Sequence, residues 1–283
     1  VSIDPALAAL LEYVEAELGF VTSHYNTSYL DRRVSSRMRR TGCDTYEEYL
    51  ELLQADPEEG TALLESLSIN VTGFFRNPDV WAGIRDVLAT LSETNETIHV
   101  WSAACADGRE PYSLSMLAHD DDAIDESAIH ILATDISEPA LETARERTYT
   151  ESRTVDLGDQ LDFLESYEEY VDHDPETRTY RVARSVANLV TFERHDLISG
   201  ELKSGFDLVI CRNLFIYIDN EYKQSILETL GRSLRPNGYL VIGKAETIPP
   251  KLKSAFEVED GRLRIYRRGA DSGNQEVESP SHK

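Results

Sequence analysis

Glu110 and Asp135 are the residues of this chain whose placement suggests the most specific chemistry. Ile98 and Val100 form an apolar strand pattern that runs into small residues, Ser102, Ala103, Ala104, Cys105, Ala106 and Gly108. Glu110 and Pro111 then open a helix continued by Leu114 and Leu117. Small residues at a strand-to-helix turn let a ligand approach the backbone, and the helix beyond offers free N–H groups. A dinucleotide site uses that helix end for pyrophosphate. A carboxylate there repels phosphate and attracts a cationic amine. S-adenosylmethionine carries an ammonium and a sulfonium and no phosphate, so it suits this loop, with Ala104 at its centre, better than NAD does. An ordinary tight turn is the alternative reading.

Asp135 ends the next strand pattern, where an acid takes the ribose hydroxyls in nucleoside-binding sheets; two acceptor oxygens match a vicinal diol. The alternative is a helix N-cap, a role Ser137 can fill itself. His195-Asp196-Leu197 and Cys211-Arg212-Asn213-Leu214 follow two further strand patterns. Open α/β sheets bind ligands outside the carboxyl ends of their strands. Asp196 can accept from an adenine amino group, and Asn213 can donate and accept toward a methionine end. Tyr217, four positions on, is expected to face the same cleft. Loop capping is the alternative for Asp196 and Asn213, and simple packing for Tyr217.

The elements that must carry these residues fall into two blocks. Residues 1–68 read as helices only: Leu7, Leu10, Leu11, Val14 and Leu18 have helical spacing, Tyr25 to Arg40 is a second helix, Asp44 can cap a third over 45–53, and 57–67 is a fourth. Residues 69–90 read as a junction in which Ile69 and Val71 alternate with Asn70 and Thr72, followed by Gly73-Phe74-Phe75-Arg76 and an Asn77-Pro78 turn. From 91 to 269 strands and helices alternate, with strands over 98–102, 130–134, 206–211 and 239–243. That rhythm implies a doubly wound, mostly parallel α/β sheet. Val258 and 263–266 around Asp260-Gly261 read as a closing hairpin. Residues 148–192 break the rhythm and read as an inserted antiparallel β-subdomain that includes strands at 180–182 and 189–192. Residues 270–283 are polar and aperiodic and read as a disordered tail.

Composition excludes several classes. The 52 acidic residues against 28 basic ones give a formal charge of −24, and only six of the basic residues are lysine. Such a surface repels nucleic acid and anionic membranes and is of a halophile-like kind, since screening by salt relieves its self-repulsion. Cys43, Cys105 and Cys211 are isolated, which points to reduced thiols in a cytoplasmic protein and no metal site. No apolar run approaches the roughly 18 residues of a membrane span, and no secretory signal is visible.

Against this acidity, five arginines (Arg32, Arg33, Arg37, Arg39, Arg40) fall within nine positions. At helical spacing they occupy an arc of roughly 160°, opposite Leu30, Val34 and Met38. A solvated face is the usual explanation of a charge run. A basic stripe on an acidic protein instead suggests an acidic partner helix.

Taken in order, these segments resemble the CheR-type chemotaxis receptor methyltransferases, which use S-adenosylmethionine to methylate glutamates on receptor cytoplasmic helices. The resemblance spans roughly residues 5–268 and rests on the segments at 29–40, 68–78, 101–113, 133–137 and 211–217. It implies an all-α N-terminal domain followed by a Rossmann-like methyltransferase domain with a small antiparallel β-subdomain. It also implies that Asn70, Thr72 and Arg76 line the cofactor, Glu110 holds its methionine amine and Asp135 its ribose. Asp196, Leu197, Arg212 and Asn213 would take the adenine and methionine ends, and the basic helix would dock the receptor. S-adenosylhomocysteine would be the product. The chain departs from the bacterial pattern at Gly243-Lys244-Ala245-Glu246, where bacterial members commonly carry Gly-His-Ser-Glu. In some members the β-subdomain docks on a receptor's C-terminal tether.

The chemistry asks little of the protein. A glutamate, with a pKa near ~4.3, is already an anionic nucleophile at neutral pH and needs no general base. Catalysis is then mainly proximity and orientation, with Arg76 or Tyr217 holding the incoming carboxylate. Two other readings compete: a same-fold methyltransferase acting on a small carboxylate or hydroxyl, and a non-catalytic scaffold.

Overall fold

A computed structural model describes residues 3–67, 72–152 and 155–270. The chain divides into two compact units: Val1–Asn70 with Leu214–Ser225, and Val71–Asn213 with Ile226–Lys283. The candidate residue Asn70 and all of the expected 270–283 tail but its first residue lie outside the described residues.

The first unit is built on helices α1 (Pro5–Leu18), α2 (Thr27–Thr41), α3 (Tyr46–Ala55) and α4 (Pro57–Leu67). Each presents one apolar stripe to a shared core: Leu7, Leu10 and Val14 from α1, Leu30 and Val34 from α2, Tyr49 and Leu53 from α3, and Leu63 and Leu67 from α4. Helix boundaries follow local chemistry. Asn26 accepts the Tyr29 N–H to start α2, and Gly42, at φ 78°, ends it. Helix α3 is capped by Thr45 rather than by the expected Asp44. The Thr45 hydroxyl and the Glu48 carboxylate form a reciprocal capping box, which Asp44, one residue too early, cannot make.

The second unit begins with α5 (Pro78–Thr94), continues through β1 (Ile98–Ala103), α6 (Arg109–Asp120), β2 (Ile129–Asp135) and α7 (Glu138–Glu146), and enters a small three-stranded sheet. That sheet holds β3 (Thr148–Thr150), β4 (Val171–Asp174) and β5 (Thr179–Val182) in the antiparallel order β3-β5-β4, with α8 (Leu157–Leu161) between β3 and β4. After α9 (Arg184–Ala187) the chain returns as β6 (Val190–Arg194) and β7 (Phe206–Cys211). Helix α10 (Asn220–Ser233), which belongs to this unit from Ile226 on, β8 (Leu234–Ile242), β9 (Phe256–Asp260) and β10 (Ile265–Arg268) complete it.

The large sheet has the order β6-β2-β1-β7-β8-β10-β9. Its first five strands pair in parallel, and β10 pairs antiparallel to both β8 and β9. All six residues of β7 are buried, as a central parallel strand covered on both faces requires.

Three sequence expectations need correction. Residues 69–90 are not mainly a linker: α5 occupies 78–94 and buries Val80, Trp81, Ile84, Val87 and Leu88 in the core of this unit. The antiparallel insertion does not extend to 192. Residues 190–194 form β6, which pairs in parallel with β2 in the large sheet, because sheet membership is decided by a distant partner rather than by local pattern. Strand β8 begins at Leu234, ahead of the expected start at 239, and runs through Pro236-Asn237-Gly238 with a register shift.

Candidate functional site

The strand order of the second unit defines where its site must lie. From β1 the chain proceeds outward to β2 and β6 on one side, then crosses back to β7 and β8 on the other. The order therefore reverses between β1 and β7, the place where open α/β sheets hold ligands beyond the strand ends.

The loop after β1 is shaped for close approach. Ala104, Ala106 and Gly108 all take positive φ, at 58°, 51° and 87°. A Cβ on Gly108 would come within 2.7 Å of Ala144 Cβ, so only glycine lets this loop sit against α7. The Cys105 N–H bonds the Thr134 carbonyl at 2.9 Å, and the Ala106 N–H donates to Asp135 Oδ2 at 2.8 Å. The other Asp135 oxygen accepts the Ser137 N–H at 2.9 Å. Asp135 thus clamps the β1 loop to the end of β2, while Ser137, not Asp135, caps α7. Burial pushes the Asp135 carboxyl above its ordinary range, and these backbone N–H bonds pull part of the way back. Ile136, next to it, leaves an apolar side chain 39% exposed.

Glu110, in the first turn of α6, is only 9% exposed. It accepts a hydrogen bond from the Ser102 hydroxyl at 2.9 Å and faces Arg212 Nη1 at 3.5 Å. Burial raises its pKa, opposed by the charges of Arg212 and Arg76 and by the Ser102 bond. Arg212 is itself buried, and burial lowers its pKa against the attraction of Glu110. Its Nε is buried without a hydrogen-bond partner. A buried carboxyl and a buried guanidinium therefore face each other across the β1/β7 switch with a contact of 3.5 Å between them.

Arg212 also organises the segment Thr72–Asn77. Its Nη2 donates to the Arg76 carbonyl at 2.6 Å and to Asn77 Oδ1 at 3.1 Å. The Trp81 indole donates to the same carbonyl at 3.1 Å. Arg109 donates to the Thr72 carbonyl at 3.3 Å, and the Phe75 N–H donates to Ser113 Oγ at 3.1 Å. Phe75 is held at φ 43° and Asn77 at φ 60°. For a bulky aromatic this left-handed conformation costs about 1–2 kcal/mol, which the surrounding bonds must overcome. The half-buried Arg76 projects from this restrained stretch, and its charge acts on both Glu110 and Arg212.

Asn213, just past β7, has φ 62°, and its N–H donates to Glu246 Oε2 at 3.3 Å. The same oxygen accepts the Gly243 N–H at 2.5 Å, so one buried carboxylate ties the end of β7 to the end of β8. Asp196 folds its carboxylate onto its own loop, accepting from the Ile198 N–H at 2.8 Å and from the Ser199 hydroxyl at 2.5 Å. The half-buried Leu197 lies within that turn. The second unit thus holds Thr72, Arg76, Ala104, Glu110, Asp135, Asp196, Leu197, Arg212 and Asn213, the last seven of them at or beyond the ends of parallel strands.

Tyr217 belongs to the helical unit, with its ring centroid 4.9 Å from that of Tyr29. In the same unit the arginine stripe is not uniform. Arg32, Arg39 and Arg40 are exposed, and Arg33 is half-buried with its guanidinium 5.3 Å from the Tyr29 ring centroid. Arg37 departs from the docking expectation. Its Nε and Nη2 donate to the two oxygens of the buried Glu59 at 2.9 and 2.5 Å, and Tyr49 donates to Glu59 Oε1 at 2.5 Å. A side chain consumed in a buried bidentate pair has no fork left for a partner.

Ser102, Ser113, Glu246 and Arg109 were missed as site-building residues. Their work is done on backbone groups or on another side chain, and no local motif announces it. Among the described residues no cluster of metal-ligating side chains occurs.

With this geometry in hand, two family models match the chain. The one described as the CheR methyltransferase SAM-binding domain covers residues 70–265, and the one described as the CheR methyltransferase all-alpha domain covers residues 5–68. A chemotaxis protein methyltransferase of Listeria monocytogenes is 32% identical over 83% of this chain and 87% of its own length. The protein of that name from Escherichia coli K12 is 29% identical over 86% of this chain and 84% of its own. The putative methyltransferase Cher3 of Pseudomonas putida is 29% identical over 94% and 97% respectively.

Proposed function

Since this chain belongs to the CheR methyltransferase family and its large domain binds S-adenosylmethionine, we propose that it methylates glutamate side chains of chemotaxis receptors. The observation that carries this reading is the buried Glu110 at the β1/β7 switch, which accepts the Ser102 hydroxyl at 2.9 Å and meets Arg212 only at 3.5 Å. The ammonium of S-adenosylmethionine would supply a further cationic partner. Asp135 is the carboxylate assigned to the ribose hydroxyls, and the exposed Ile136 offers an apolar face to the adenine. Asp196, Leu197, Arg212 and Asn213 border the remainder, with Ala104 and Thr72 presenting backbone close to the ligand.

Bound S-adenosylmethionine supplies an electrophilic methyl group on a sulfonium. The protein's part is to orient a carboxylate that is already ionised. Arg76, restrained through its own backbone carbonyl, is the group we assign to meeting that carboxylate. It does not have to move a proton. The exposed Arg32, Arg39 and Arg40, with Arg33, form the acidic-helix docking face, and Arg37 is withdrawn from it. A receptor's cytoplasmic helices as substrate would place the enzyme in the cytoplasm. Among the described residues no helix is long and apolar enough to cross a membrane.

The test is transfer of labelled methyl from S-adenosylmethionine to a receptor cytoplasmic fragment, followed by alkaline treatment. Release of the label as methanol identifies a carboxyl ester. Absence of transfer to the fragment, with transfer to small carboxylates instead, would replace this reading by the small-molecule one.

A further inference from the structure

The segment bearing Arg76 is also held by residues of the antiparallel insertion. The Phe74 N–H donates to Gln160 Oε1 at 2.9 Å, and Gln160 stands on α8, between β3 and β4. Gly73 lies so near that a Cβ there would sit 2.9 Å from the same oxygen. Phe163 stacks on Phe75 with ring centroids 4.8 Å apart and an interplanar angle of 16°. Tyr149 of β3 meets Phe74 edge-on at 5.2 Å. Phe74 and Phe75 are each 1% exposed, so the Phe74 N–H cannot turn to water if Gln160 is lost.

We propose that this insertion is a working part of the methyltransferase site, with Gln160 as a positioning residue for Arg76. The proposal rests on the reading of Arg76 as the group that meets the substrate carboxylate. Gln160 touches neither Glu110 nor Asp135. It acts through two residues of backbone, the second of them the left-handed Phe75, on the direction in which Arg76 leaves the chain. A strained residue keeps its conformation only while its neighbours over-determine it. Removing one restraint lets Phe75 relax and carries Arg76 away from its productive position. The groups assigned to the methyl donor stay where they are. The insertion would therefore control turnover without controlling donor affinity.

Gln160→Met keeps the size of the side chain and removes the acceptor, whereas Gln160→Glu keeps an acceptor oxygen. Labelled-methyl transfer to the receptor fragment gives kcat, calorimetry with S-adenosylhomocysteine gives donor-site affinity, and thermal melting reports folding. The expected result for Gln160→Met is a kcat lowered roughly tenfold, with affinity for S-adenosylhomocysteine within about twofold of the parent. Gln160→Glu should recover most of the rate. Phe163→Leu, which removes the stacked ring but no hydrogen bond, should show the same split if Gln160→Met does not fold. Arg76→Ala is the control. If Arg76→Ala is slow while Gln160→Met and Phe163→Leu turn over normally, the positioning role is wrong and the reading of Arg76 stands. If Arg76→Ala turns over normally, that reading falls and takes the proposal with it. A parallel loss of rate, affinity and melting temperature in the insertion variants would show a folding role only and overturn the proposal.

Discussion

Each unit of the chain keeps a glutamate–arginine pair in its interior. In the helical unit the Glu59 carboxylate receives two donors from Arg37 and a third from Tyr49. Burial works against its charge, but these bonds outweigh burial and hold its pKa below the ordinary value. In the second unit Glu110 receives the Ser102 hydroxyl and a single contact from Arg212 at 3.5 Å. There burial wins and the pKa rises. The two carboxylates are almost equally hidden from solvent, at 7% and 9% exposure, but Glu110 is packed far more deeply in protein than Glu59. Heavier desolvation and less complete hydrogen bonding therefore act together to raise its pKa. A buried pair whose bonds are complete is part of the framework, whereas one left short has unused capacity for a cation brought by a ligand.

The comparison can be broken at several points. The largest effect belongs to Arg37→Glu, which sets a second carboxylate against Glu59. Unfolding by denaturant should show a loss of about 3–5 kcal/mol, and a loss under about 1 kcal/mol would mean the pair is not a framework element. Next comes Glu110→Gln. It should weaken S-adenosylhomocysteine binding by about tenfold or more, the worth of one charge-assisted bond, with a smaller loss of stability than Arg37→Glu. Equal affinity in calorimetry would remove Glu110 from the donor site.

The pH profiles should also run differently. An ionised Glu110 is needed to hold an ammonium, and its pKa is raised. Affinity for S-adenosylhomocysteine should therefore begin to fall on acidification at a pH above the ordinary carboxylate value of ~4.3, and that early fall should be missing in Glu110→Gln. For Glu59 the sign is opposite. Its folded pKa is depressed, so its stabilisation is fully present above the unfolded value and is lost as pH falls through the folded one. Glu59→Gln should melt below the parent at neutral pH, with the gap closing only under more acid conditions. A constant gap would assign the difference to shape rather than charge.

The smallest change in stability is expected for the exposed arginines. Arg39→Glu combined with Arg40→Glu should shift stability by no more than about 0.5 kcal/mol, yet lower the rate of receptor methylation at low salt. High salt should shrink the difference. Unchanged methylation at low salt would return these arginines to the role of a solvated face.

What was legible in the sequence was local. Residues 57–67 and 206–211 are bounded in the structure where their period and flanking residues placed them, because a helix stripe and a buried strand each write their pattern into consecutive positions. The places of Glu110, Asp135, Arg212 and Asn213 at or beyond strand ends were legible for the same reason. Tertiary structure decided everything that depends on a distant partner. Residues 189–192 read as one more strand of the insertion, whereas β2 claims 190–194 for the large sheet. Arg37 reads as one of five equivalent arginines, and only Glu59, 22 positions away, turns it inward. Gln160 carries no motif, yet the fold brings it to a backbone N–H 86 residues earlier in the chain. Helical and strand periods arise from sterics between neighbours in sequence and so can be read from them. Whether a charge is saturated, or a backbone group held, depends on what the fold brings within three ångströms, and no window of sequence contains that.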